Sequence, residues 1–148
     1  MTNYNFKSIP YKLKQLILVT FLFLTLGSLL ELYLIGHYED TMQLIPIFCV
    51  SISLFNLLLL FFKVSKFTTN LFKVVLCSTL IVGIYGVYLH LKSNYQFEYE
   101  IRPSKNYWVL LKNSFSGALP TLAPLSLVVL SLVGYSYLII ISKINEKI

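Results

Sequence analysis

The residues able to do chemistry are few and unevenly placed. Among 148 residues there are six carboxylates and two histidines. Five of the acids, Glu31, Glu39, Asp40, Glu98 and Glu100, fall in two short stretches, and His37 and His90 lie in or near the same stretches. Imidazole and carboxylate together form the ligand set of zinc, iron, copper and nickel. If the two stretches meet, Glu31 and His90 form the floor of a site, His37, Glu39 and Asp40 one wall, and Glu98 and Glu100 a lid. The ligand expected there is a divalent transition-metal cation, bound for sensing, delivery or transport. A haem held axially by the two histidines fits less well, because His37 follows Gly36 at a helix end and such a ligand is poorly held. Plainer roles compete for each residue. Asp40 with Gln43 has the spacing of a capping box, Glu39 can simply be solvated, His90 can hydrogen-bond a neighbouring helix, and Glu98 can pair with Arg102.

Other chemistries are excluded or unsupported. Cys49 lies near one end of its apolar block and Cys77 near the opposite end of the next. At 1.5 Å per residue their depths differ by roughly 15 Å, whereas a disulfide needs Cα atoms within about 7 Å. With no C-x-x-C either, thiol exchange is ruled out and both cysteines read as small core residues. There is no G-x-S-x-G, no glycine-rich phosphate loop and no histidine beside a serine nucleophile. Nothing specifies a reaction, and the expected protein is not an enzyme.

The elements that must hold these residues follow from hydropathy. The chain is 57% hydrophobic and 12% charged, whereas soluble domains average about 25% charged residues. Four apolar blocks each approach the roughly 20 residues that cross a hydrocarbon core of about 30 Å. In lipid every backbone N–H and C=O must be bonded within its own segment, so each block is a helix. Helices are expected over about 13–35, 42–62, 73–91 and 120–142, with a cap over 92–119, in one transmembrane domain spanning 1–148. The first block is too long for a signal-peptide core and lacks a small-residue cleavage site, which makes it a retained helix.

The net charge of +6 is a topology signal. Lys7, Lys12, Lys14, Lys63, Lys66, Lys73, Lys143 and Lys147 fall on one side of the four-helix path, and only Lys92, Arg102, Lys105 and Lys112 on the other. This excess places both termini in the cytoplasm, so the acids and histidines face outward. Nucleic acid is not an expected partner; the lipid bilayer is, together with other membrane subunits or a second copy of the chain.

Within the cap, Tyr95, Phe97, Tyr99 and Ile101 alternate with Gln96, Glu98, Glu100 and Arg102, the period of an extended strand. Pro103 ends it. Ser104 then reads as the N-cap of a short amphipathic helix carrying Tyr107, Trp108, Leu111 and Phe115, suited to the headgroup layer. Pro120 is expected to start the fourth span and Pro124 to bend it. Small or polar stripes mark the helix-packing faces: Thr20, Gly27 and Glu31; Cys49, Ser53 and Asn56; Thr79, Gly83, Gly86 and His90; Ala123 and Gly134. They direct Glu31 and His90 toward the bundle interior. In an alternative reading the chain is a non-catalytic structural or assembly subunit of a larger membrane complex, and the Thr79–Gly83–Gly86 stripe docks a partner helix.

Two stretches carry a resemblance. Glu31, Gly36-His37-Tyr38-Glu39-Asp40, Gln43 and Pro46 form one. Gly86, His90, Asn94, Phe97-Glu98, Glu100, Pro103 and Leu122-Ala123-Pro124 form the other. Together they resemble an uncharacterised family of small bacterial four-helix integral membrane proteins. The resemblance implies a bacterial inner (cytoplasmic) membrane protein and brings no activity. It ends before residues 126–148. The fold expected is therefore an all-α membrane bundle of two in-out-in hairpins with a strand-like segment and an interfacial helix outside.

Overall fold

A computed structural model describes residues 9–145. Five helices follow in order: α1 Ile9–Leu34, α2 Thr41–Phe62, α3 Lys66–Ile101, α4 Tyr107–Ser114 and α5 Leu125–Asn145. The described residues contain no strand. α1, α2, α3 and α5 are each long and apolar enough to cross a membrane, and the protein is accordingly a multi-pass membrane protein. Lys7 and Lys147, which enter the charge count, lie outside the described residues.

The four long helices form a closed ring in which α1 packs on α2, α2 on α3, α3 on α5 and α5 on α1. Consecutive long helices run in opposite directions, so the α1–α2 turn and the α3–α5 connection share one end. This distal end is opposite the start of α1 and the end of α5. Phe21 and Phe72 meet edge-on at 5.7 Å in the middle of the ring, with Val50, Leu76 and Leu130 buried beside them. The outward surface is apolar as well, with Phe23, Phe55, Phe61 and Leu132 exposed, as a lipid-facing surface must be.

The tight α1–α2 turn is set by Gly36, whose φ of +67° favours glycine. Around it the N–H of His37 donates to Leu32 O and that of Gly36 to Tyr33 O, the paired bonds of a Schellman end. Asp40 then caps α2, with Gln43 completing the capping box, as its spacing predicts.

α3 departs from expectation at both ends. A Ser65–Thr68 capping box starts it at Lys66. It also stays helical through the stretch that alternates in hydropathy, so the expected strand is corrected to helix. The physical reason lies in which face is covered. Leu91, Asn94, Tyr95 and Glu98 are the buried or half-buried positions, spaced i, i+3, i+4 and i+7 as on one helix face. Two of the four are polar, so hydropathy showed a period of two where packing has 3.6. At 1.5 Å per residue the 36 residues span about 54 Å, well beyond a hydrocarbon core of about 30 Å, and the last turns stand clear of the ring. α4 folds back against them. Its N-cap is Asn106 rather than Ser104. α5 begins at Leu125 rather than Pro120. Residues 120–124 form turns, and Pro124, which has no N–H, lies just before the helix instead of bending it.

Candidate functional site

Above its middle the ring opens into a cavity of about 230 Å³ at the distal end. All four long helices border it: Ser28, Glu31 and Leu32 from α1, Met42, Ile45 and Pro46 from α2, Val82, Tyr85 and Leu89 from α3, and Ser126 and Leu127 from α5, with Ala123 and Pro124 just before it. Its walls are almost wholly apolar. Completely enclosed and empty, a void of this size would cost on the order of 5 kcal/mol at about 24 cal/mol per Å³, and an apolar cavity excludes water while accepting apolar guests.

The cavity has a side opening. Met42 on α2 is 62% exposed, and Ile81 and Tyr85 on α3 are 60% and 53% exposed, yet all three line it. The gap therefore lies between the distal halves of α2 and α3, facing the membrane. Below it these helices are joined by the Ser53–Thr79 hydroxyl pair at 3.3 Å. A Cβ on Gly83 would meet Pro124 O at 2.9 Å, and one on Gly86 would meet Pro124 Cβ at 2.8 Å. These glycines bring α3 onto the start of α5, while α3 turns full-sized Val82, Tyr85 and Leu89 toward the gap. The small-residue stripe of α3 is thus occupied within the chain and does not present a docking face for a partner helix.

The carboxylate and imidazole of the lining are Glu31 and His37, with the phenol of Tyr85 beside the opening. On α1 the tightly packed face is Phe21, Thr25 and Ser28, and Gly27 and Glu31 are exposed. The sequence expectation that the Thr20–Gly27–Glu31 stripe is a packing face is corrected: Gly27 has nothing within 4 Å of a built Cβ. Glu31 reaches the cavity from its rim. His37, held by the Schellman turn, has its pKa lowered, first by partial burial and then by the charge of nearby His90. His90 Nδ1 lies 3.0 Å from Pro120 O. A carbonyl only accepts, so Nδ1 carries a proton there. Pro46, inside α2, has no N–H to give the carbonyl of Met42, which leaves a backbone acceptor without its i+4 donor beside the cavity.

The other expected site residues are dispersed. Asp40 is used in the capping box. Glu39 is exposed in the turn beside Gly36. Glu98 binds Arg102 at 3.6 Å and accepts from Asn113 at 3.1 Å, as its i,i+4 spacing from Arg102 allows. Glu100 is exposed on the projecting end of α3. Among the described residues, no three His, Cys, Asp or Glu side chains converge as a metal site would require. Both cysteines are free.

Sequence reasoning named Asn94 only within the resemblance and gave it no role. It is buried on α3 and its amide holds the whole α4–α5 connection. Nδ2 lies 2.9 Å from Ser114 O, 2.8 Å from Leu119 O and 3.0 Å from Thr121 Oγ1, and Oδ1 accepts from Leu119 N at 3.0 Å. Gly117 is required there because any Cβ would run into the Asn94 side chain. The pairing of a polar residue with an unexplained glycine 23 positions later is not a signal that periodicity detects.

Comparisons of the chain with protein-family models, with curated proteins and with solved structures gave no match.

Proposed function

We propose that this is a non-enzymatic bacterial cytoplasmic-membrane protein, with both termini inside, that binds a slender apolar-bodied ligand in the cavity at the outer, distal end of its bundle. One observation carries the reading: the cavity's walls are largely apolar on all four helices, with Glu31, His37 and the Tyr85 hydroxyl as polar groups near its mouth. Small-molecule sites typically enclose about 300–1,000 Å³, so 230 Å³ suits a narrow guest better than a compact drug-sized one. The excess of lysine at the opposite end supports the outward assignment. The test is binding of a soluble apolar fluorophore to protein in mild detergent. Saturable binding that is lost in Val82→Trp, which fills the cavity, is expected. Equal binding by the variant defeats the proposal.

A second reading is favoured by the placement of Glu31, His37 and His90 at one end of the bundle. The three do not converge in this structure; drawn together by a divalent transition metal, they would supply two imidazoles and a carboxylate. Only neutral imidazole binds metal, so affinity should fall as pH drops below about 6. Elemental analysis of protein purified without chelator tests it. Metal retained equally by the Glu31→Ala, His90→Ala double variant excludes these ligands.

A further inference from the structure

The side opening and the character of the rim together specify a ligand class. The opening between α2 and α3 faces the membrane in the distal half of the spans, bordered by the exposed side chains of Met42, Ile45, Ile81 and Tyr85. What surrounds that opening in a bilayer is acyl chain at the highest concentration of any molecule present. Beyond the opening the walls stay apolar to Ser28 and Leu127, so a chain can enter without stripping water from polar groups.

The rim then selects the head. Its polar side chains toward the turn are the Glu31 carboxylate, the ring of His37 and the hydroxyl of Tyr85. No lysine or arginine lines the cavity. A carboxylate calls for a donor and favours a cationic one. A bare phosphate finds no positive partner here.

We infer that the cavity takes one acyl chain of a phospholipid with a primary ammonium head, entered sideways from the surrounding leaflet between α2 and α3, with the ammonium against Glu31. This rests on the reading that the cavity holds an apolar-bodied ligand, and it adds the source, the route and the head. Ser28 and Leu127 mark the chain's far end, and His37 stands beside the head.

The experiment uses the full chain extracted with mild detergent from vesicles holding equal parts of an ethanolamine-headed and a glycerol-headed phospholipid, with retained lipid identified by mass spectrometry. The ethanolamine lipid should be enriched about tenfold over the glycerol lipid, the ratio that a preference of roughly 1.4 kcal/mol gives. Glu31→Gln should bring the ratio near one while lipid remains bound. Ile45→Trp, at the exposed border of the opening and so tolerated by the fold, should remove the lipid itself. Equal retention of both lipids by the wild type overturns the inference, as does undiminished lipid in Ile45→Trp. If the soluble apolar fluorophore still binds the wild type and is lost in Val82→Trp, the cavity reading survives that failure. If the fluorophore does not bind either, both fall.

Discussion

The middle of the bundle and its distal end are built from the same kinds of residue and pack in opposite ways. At the middle, Gly134 lets α5 come so close that an added Cβ would lie 2.6 Å from Leu76 and 2.7 Å from Phe21. Phe21 and Phe72 are fully buried there. At the distal end the same four helices leave a cavity of about 230 Å³. Hydrophobicity does not separate the two regions. In lipid an apolar side chain gains nothing by leaving the bilayer for a neighbouring helix, so helices close up where small residues let backbones approach and where polar groups bond across. The middle has Gly134 and the Ser53–Thr79 pair. The distal half of α3 has Gly83 and Gly86, but both face the start of α5. An open side follows from where the glycines point.

The sharpest way to break this comparison is to add the same bulk on the tight side and the open side. Gly134→Leu should cost about 3 kcal/mol or more through overpacking, because Leu76 and Phe21 occupy the space it needs. Gly27→Leu, with nothing within 4 Å, should be neutral or slightly stabilising, since a helical glycine is replaced by a better helix former. The midpoint of thermal unfolding in detergent measures both. Equal losses would mean that helix approach does not distinguish the two regions. Next in size is Asn94→Ala, with an expected loss of about 2 kcal/mol, as buried groups at Leu119 and Ser114 lose partners. The loss should be local. Amide exchange should rise over 114–121 while α1 and α2 are unchanged, and uniform exchange across the chain would show that Asn94 supports the ring instead.

How much of this was legible in the sequence depended on which interaction decided each element. The four spans were legible because length and apolarity alone make a helix in lipid. The α1–α2 turn was legible because Gly36, Asp40 and Gln43 act through bonds to residues within five positions. The projecting end of α3 was misread because Asn94 and Glu98 sit on its covered face, so the pattern of apolar residues described the wrong side. The candidate site was half legible. Glu31, His37 and His90 do come to one end, but Glu98 is drawn to Arg102 and Asn113 and Asp40 to its cap. The cavity itself had no signature, since it arises from the direction of two glycines on α3 and from where α5 starts after Pro124. Those are properties of contacts between distant segments.

The smallest expected effect tests whether the distal end is drier than an exposed turn. The pKa of His37 is lowered, chiefly by burial and next by the charge of His90. An unfolded histidine titrates near 6.5. Above that pH the ring is neutral whether the chain is folded or not, and contributes nothing. As pH falls below about 6.5 the unfolded chain takes up its proton first, so protons favour unfolding. Stability should therefore decline from about pH 6.5 downward and level off once the folded ring is also protonated. In His37→Gln this decline should be shallower between pH 7 and 5, with no change above pH 7. Thermal midpoints for the two proteins across that range decide it. Parallel curves would mean that His37 is as wet folded as unfolded, and that the cavity mouth gives it no cover. A shallower curve for the variant would locate in one ring the boundary between the wet turn and the dry cavity beneath it.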